Sequence, residues 1–244
     1  MSEVPVKLPV FFLLFTFWAT VTVQNEEAGR EAFRPALRGI QGEPEWVSIP
    51  AGEYTSGKKD EQRTISYSYQ IMKFDVTNAH YVDYLNQAHV SENMVVTQAL
   101  VKGPFAGDQY WKKGVYQYLF MGREGCQIRY EGHLFIVQSG FENHPVVQVS
   151  WFGANAYANF YGLTLPTQEE WEKAARGNTG WDYPWGDAID GSRANYWRSG
   201  DPFDNGPTPV GYYDGATHDG FKTTDSPSPF GLIRYGRKCS QLDP

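Results

Sequence analysis

Residues 165–177 read Leu165-Pro166-Thr167-Gln168-Glu169-Glu170-Trp171-Glu172-Lys173-Ala174-Ala175-Arg176-Gly177. Pro166-Thr167 starts a helix and Gly177 ends it. Thr167 and Glu170 stand at the T-x-x-E spacing of a capping box, in which each side chain satisfies a free N–H at the helix start. Trp171, Ala174 and Ala175 recur at i, i+3 and i+4, so they share one face, and Trp171 is expected in the core. Glu169 and Glu170 form an adjacent carboxylate pair, but capping explains Glu170 better than acid–base work does.

Upstream, Ser150 caps a helix from Trp151 to about Tyr161, stopped by Gly162. Before it, Gln127–Tyr130 and Leu134–Val137 read as a hairpin about Glu131-Gly132. Residues 90–125 read as a loop-rich insertion whose aromatics, Tyr110, Trp111, Tyr116, Tyr118 and Phe120 among them, are expected to be buried or to line a groove. Thr77 caps a further helix reaching about Ala88. Ile65, Tyr67, Tyr69 and Ile71 alternate with polar residues as one half-buried strand. Trp46 to Tyr54 give two short strands about Pro50-Ala51-Gly52. Downstream of Gly177 the chain is almost all turns, including Pro184-Trp185-Gly186, where Trp185 is expected to be a core indole.

The N-terminal residues 1–25 have the form of a targeting segment. Lys7 precedes the apolar run Val10 to Val23, which is shorter than the ~20 residues of a membrane span and runs into Gln24-Asn25-Glu26-Glu27. A signal peptide and a secreted or periplasmic location are expected, with an uncleaved membrane anchor as the alternative. Residues 26–44 read as a linker.

The net charge of −7 excludes a nucleic-acid binder, which needs clustered Lys and Arg. The two cysteines, Cys126 and Cys239, match no zinc spacing, and Cys126 reads as a small buried residue. The five histidines show no triad or metal spacing, and His144 before Pro145 reads as a turn residue.

Seven segments, in order, carry a resemblance. They are Phe74-Asp75-Val76-Thr77-Asn78-Ala79, His144 to Trp151, Leu165 to Gly177, Tyr183-Pro184-Trp185-Gly186-Asp187, Ala194-Asn195-Tyr196, Thr208-Pro209-Val210-Gly211, and Ser228-Pro229-Phe230-Gly231-Leu232. Residues 45–232 resemble the formylglycine-generating enzyme (sulfatase-modifying factor) family. The resemblance implies an α+β, irregular, loop-rich fold akin to C-type lectins. It also implies oxidation of a sulfatase cysteine to formylglycine by oxygen and a copper(I) ion held by two closely spaced cysteines. Thiolates suit copper(I) because both are soft.

After Leu232 the sequence departs from the family pattern. Ile233-Arg234-Tyr235-Gly236-Arg237-Lys238-Cys239-Ser240 stands where the family has a segment like Y-D-M-A-G-N-V, and the copper cysteines that follow in the family are absent. In one choice of codons, removing a single base near Leu232–Ile233 turns the tail into Leu-Tyr-Asp-Met-Ala-Gly-Asn-Val. A frame shift, an aberrant tail over 233–244 and a domain incomplete at its C-terminus are therefore expected. Neither Cys239 nor Cys126 matches a catalytic position, and no catalytic residue is assigned.

The resemblance further implies a structural calcium at Asn195, the Tyr196 carbonyl and a following acid, Asp204 first and Asp201 second. Calcium takes six to eight oxygens of these kinds; an ion-free Asx-turn explains the same residues equally well. The leading expectation is a family member inactive as written, with a sulfatase or other protein or peptide as partner. The alternative is a non-catalytic, lectin-like module that binds a peptide or glycan.

Overall fold

The computed structural model describes residues 20–21, 44–57, 61–196, 198–203 and 206–233. Twelve strands in five small sheets and three helices are present among them. The strands are β1 (Thr20–Val21), β2 (Trp46–Ile49), β3 (Gly52–Ser56), β4 (Glu61–Ile65), β5 (Tyr69–Met72), β6 (Val95–Val96), β7 (Val101–Phe105), β8 (Gly114–Leu119), β9 (Ile128–Glu131), β10 (Leu134–Val137), β11 (Thr217–His218) and β12 (Phe221–Lys222). The helices are α1 (Asn78–Ala88), α2 (Trp151–Phe160) and α3 (Gln168–Arg176). This is the expected mixed α+β architecture with long irregular stretches.

All three helix starts follow the sequence. The hydroxyls of Thr77, Ser150 and Thr167 accept from the N–H three residues on, at 3.2, 3.2 and 3.1 Å. The Glu170 carboxylate closes the box by accepting from the Thr167 N–H at 2.8 Å. In α1, where His80 replaces the usual acid, the imidazole takes that role at 3.5 Å.

Two apolar cores result. In the larger, α1 and α2 bring Tyr81, Tyr84, Tyr157 and Tyr161 together against Leu119 and Tyr118 of β8 and Phe135 of β10. Helix α2 meets β8 without a spacer. A Cβ on Gly153 would lie 2.4 Å from the Tyr118 carbonyl oxygen, so only glycine admits this approach. The smaller core joins Ile49, Tyr54, Ile65, Tyr69 and Ile71 to Ala174 of α3 and to Leu232.

Several expectations need correction. The strand expected over 65–71 is two strands, β4 and β5, which belong to different sheets, and the break leaves Tyr67 40% exposed. Two-residue alternation persisted in the sequence because Ile65, Tyr69 and Ile71 all enter the same small core. Residues 90–125 are not mostly loop: β6, β7 and β8 form an antiparallel sheet. The hairpin turn sits one residue later than expected, at Gly132-His133, which both have positive φ (55° and 70°), as a two-residue hairpin loop demands.

Trp171 is not a core residue; it is 36% exposed. The inward side of α3 carries Glu170, Lys173, Ala174 and Ala175 instead. The buried polar pair has partners on the 50–69 segment, so polar contacts, not the indole, orient the helix. Glu172 accepts from the Ser56 hydroxyl at 2.8 Å and the Gly57 N–H at 2.6 Å, which fastens α3 to the end of β3. Trp185 is half-buried, its indole N–H donating to the Ala188 carbonyl at 2.8 Å.

Thr20 and Val21 pair antiparallel with Ile71 and Gln70, so this part of the N-terminal apolar run lies along the edge of β5. The rest of the expected leader, the linker up to residue 43 and the tail beyond Ile233 lie outside the described residues.

Candidate functional site

The segments that carry the resemblance meet in space. The Asn78 amide donates to the Phe141 carbonyl at 2.9 Å, and the Asn78 N–H donates to the His144 carbonyl at 2.9 Å. Val146 N–H donates to Val76 at 2.9 Å, and Val210 N–H reaches the Asn143 carbonyl at 2.9 Å. The 74–79, 144–151 and 208–211 segments thus form one knot of backbone bonds. The 228–232 segment closes on α3, where the Ser228 hydroxyl donates to the Ala174 carbonyl at 2.8 Å and accepts from the Leu232 N–H at 3.1 Å. These residues specify structure by satisfying backbone groups that an irregular chain would otherwise leave unpaired.

Asn195 lies at the centre of the expected ion loop and is fully buried. Its amide donates to the Gly206 carbonyl at 2.7 Å, whereas its Oδ1 has no partner. Buried polar atoms without a partner are rare enough to require explanation. The Thr208 hydroxyl is also buried without one. Asp201 is buried in the same loop; its carboxylate accepts from the Phe203 N–H at 2.7 Å and from the Ser199 hydroxyl. The Tyr213 hydroxyl is held well above the ordinary phenol range, first by burial and then by the Asp201 charge. The Tyr196 carbonyl accepts from the Ser199 N–H at 3.0 Å. Asp204, the first-choice acid, lies outside the described residues. Among the described residues no three His, Cys, Asp or Glu side chains gather. A cation here would rest on amide, hydroxyl and carbonyl oxygens with one carboxylate, a set that suits calcium rather than zinc.

Cys126 is half-buried at the edge of the larger core, with its thiol 3.7 Å from the Ile128 carbonyl. Burial pushes its thiol above the usual range, which disfavours the thiolate. It is the one cysteine among the described residues. Among the described residues no second thiol stands near it.

His144 is buried between Phe141 and Phe203, with ring centroids at 4.8 and 6.1 Å. Its Nδ1 has no partner, and burial lowers its pKa. It is a structural imidazole, as the sequence suggested. Glu170 is likewise structural: besides capping, it accepts from the Tyr67 hydroxyl at 2.9 Å. Glu169 is exposed.

Two concavities stand out among the described residues. One is an open groove of about 620 Å³ lined by His89, Asn93, Met94, Tyr130 and His133; the other is a small pocket beside Phe74. Sequence reading assigned neither. Tyr110 and Trp111, expected to be buried or to line a groove, stand in water on the β7–β8 loop and belong to neither concavity. The cue available was Asp108-Gln109-Tyr110-Trp111-Lys112-Lys113-Gly114, whose Asp, Lys and Gly mark an exposed turn.

The family description "Sulfatase-modifying factor enzyme 1-like domain" matches residues 34–233. Serine/threonine-protein kinase pkn1 of Chlamydia pneumoniae is 32% identical over 180 residues, covering 70% of this chain and 26% of the relative. A formylglycine-generating enzyme of Streptomyces coelicolor is 48% identical over 71 residues, 28% of this chain and 23% of the relative. An inactive C-alpha-formylglycine-generating enzyme 2 of Bos taurus is 53% identical over 55 residues, 22% of this chain and 18% of the relative. The chain therefore spans about a quarter or less of the length of these relatives.

Proposed function

The chain belongs to the sulfatase-modifying factor enzyme 1-like family, and from that premise we propose that it is a formylglycine-generating-enzyme-like scaffold that does not itself oxidise cysteine as written. The observation that carries this reading is the thiol inventory. The 244 residues hold two cysteines, Cys126 and Cys239, and Cys126 sits at a core edge that disfavours its thiolate. Copper(I) chemistry of the family type needs two neighbouring thiolates. The protein partner on this reading is a sulfatase or a peptide like the one a sulfatase presents, met outside the cytoplasm if residues 1–25 act as a leader. The architecture is of the C-type-lectin kind, and Asn195, the Tyr196 carbonyl and Asp201 or Asp204 hold a structural calcium.

The test is direct. The 244-residue protein, supplied with copper and oxygen, is incubated with a sulfatase-type cysteine peptide, and the product is weighed by mass spectrometry. No formylglycine above a protein-free control is expected; its appearance overturns the reading.

A second reading, a non-catalytic module for a peptide or glycan, is favoured by the open groove lined by His89, Tyr130 and His133. A relative whose name marks it as inactive lends support, since it shows the family includes members without the activity. Retained affinity for a sulfatase peptide without turnover would favour the first reading. Affinity for glycans alone would favour the second.

A further inference from the structure

The loop joining β7 to β8, residues 106–113, carries a built aromatic and cationic tip. Asp108 sets its shape. Its carboxylate accepts from the Tyr110 and Trp111 N–H groups at 2.7 and 2.6 Å, and the Asp108 N–H donates to the Trp111 carbonyl at 2.8 Å. This closed turn holds Tyr110 at 80% and Trp111 at 48% exposure. Behind it lies a rigid aromatic platform. Tyr116 stacks on Phe152 at 3.9 Å, and Trp111 stands edge-on to Phe152 at 5.4 Å. The Tyr116 hydroxyl donates to the Lys112 carbonyl at 2.8 Å, tying tip to platform. Val115, 61% exposed, extends the apolar surface.

The charge of this region opposes that of the chain. The tip itself, residues 106–113, carries two cations, Lys112 and Lys113, against one acid, Asp108, a net +1 in a chain of −7. The one carboxylate is already engaged by backbone N–H groups. Lys112 and Lys113 are exposed, and no ion pair among the described residues reaches them. Neither the groove at His89 and His133 nor the pocket at Phe74 includes any residue of the tip. A peptide is held in a groove or along a sheet edge, whereas a solvent-facing tip of Trp, Tyr and Lys matches a membrane's interfacial zone. There amphipathic rings sit at headgroup level and lysines meet anionic lipid.

We propose that the 106–113 tip docks this protein onto an anionic lipid surface, with Tyr110 and Trp111 entering the headgroup layer and Lys112 and Lys113 pairing with lipid phosphates and carboxylates. The experiment is cosedimentation of the full chain with phosphatidylcholine vesicles, with and without phosphatidylserine. Because residues 10–23 are themselves apolar, the readout is the difference between variants of the same chain. Binding to the phosphatidylserine vesicles is expected to fall roughly fivefold for each lysine neutralised in K112Q/K113Q and to weaken with salt. For Y110S/W111S a loss of about tenfold or more is expected, with the melting temperature unchanged in the lysine variant. Equal sedimentation of wild type and K112Q/K113Q overturns the proposal, as does binding that ignores phosphatidylserine. Soluble polyglutamate that competes the protein off the vesicles through the same residues would reassign the tip to an acidic peptide and overturn it too.

Discussion

The ammonium of Lys173 donates to the Pro50 carbonyl at 2.6 Å, across the body of the smaller core. A second bond reaches the Gly52 carbonyl at 2.9 Å. The turn between β2 and β3 has no regular ladder of its own here, since β2 pairs with β5 and β3 with β4. One lysine from α3 therefore satisfies two carbonyls of a turn that connects two sheets. Burial lowers its pKa.

Replacing Lys173 by Met keeps the apolar stem and removes both donors. A buried carbonyl left unpaired costs about 1–3 kcal/mol; Pro50 is exposed and Gly52 half-buried, so water reaches these carbonyls in part and Lys173→Met is expected to lose ~1–3 kcal/mol of a domain's margin of about 5–15 kcal/mol. Urea denaturation measures it. A loss within ~0.5 kcal/mol, the range of ordinary surface changes, would show that water takes over these carbonyls.

The two adjacent carboxylates of α3 are expected to behave differently. Glu170 is buried, caps Thr167 and accepts from Tyr67, whose hydroxyl is held above its ordinary range by burial and by that carboxylate. Glu170→Ala should cost about 2–4 kcal/mol, as hydrogen bonds to a charged group are each worth ~1.5–3 kcal/mol. Thr167→Ala should cost ~1 kcal/mol through the cap alone. Glu169→Ala should stay within ~0.5 kcal/mol. Thermal melts of the three variants give the ranking; a reversed order of the two glutamates would contradict the capping account.

The capped helices were legible because capping is local: Thr77, Ser150 and Thr167 reveal themselves by the residues three positions on. The split at Tyr67 and the exposure of Trp171 were not, because both are decided by distant partners. Tyr67 turns toward Glu170, and α3 turns its Glu170–Lys173 side inward because the 50–69 segment supplies the bonds. Similarly, β7 was hidden by Gly103 and Pro104, residues that weaken a strand reading. Here Gly103 leaves room for the Tyr118 ring, 2.2 Å from where a Cβ would stand. In the loop around Asn195, the asparagine was legible as a motif residue, but spacing alone does not choose between Asp201 and Asp204 as an acid ligand.

His144 gives a pH signature. Its folded pKa lies below the ordinary value because burial opposes the cation, with Glu142 opposing in part. The unfolded chain then binds the proton more readily. Stability is thus fully present above the unfolded value of ~6.5 and is lost as pH falls from there through the folded pKa. Denaturation midpoints measured from roughly pH 7.5 to pH 5 should decline in the wild type. The decline should be shallower in His144→Phe, which keeps an apolar ring between Phe141 and Phe203. Parallel pH profiles for the two proteins would assign the decline to other groups.

The ion loop offers the sharpest division between two accounts of the same residues. If Asn195 Oδ1 ligates calcium, its lack of a protein partner is explained, and the ion stabilises the native state by mass action. A hundredfold excess of calcium over its dissociation constant adds ~2.7 kcal/mol, which chelation removes. If the loop is an ion-free turn, the Asn195 amide bond to Gly206 is the whole of its contribution, and chelator changes nothing. Asn195→Ala destabilises the protein on either account, because both lose the 2.7 Å bond to the Gly206 carbonyl. The informative variant is Asp201→Asn, which replaces one carboxylate oxygen by an amide while preserving shape. With an ion, it should abolish most of the calcium-dependent rise in melting temperature while lowering the calcium-free melting point only slightly. Without an ion, wild type and variant should melt at temperatures that do not respond to calcium or to chelator. A calcium-dependent rise that survives Asp201→Asn intact would transfer the acid's role to Asp204, to be checked by the same melt on Asp204→Asn.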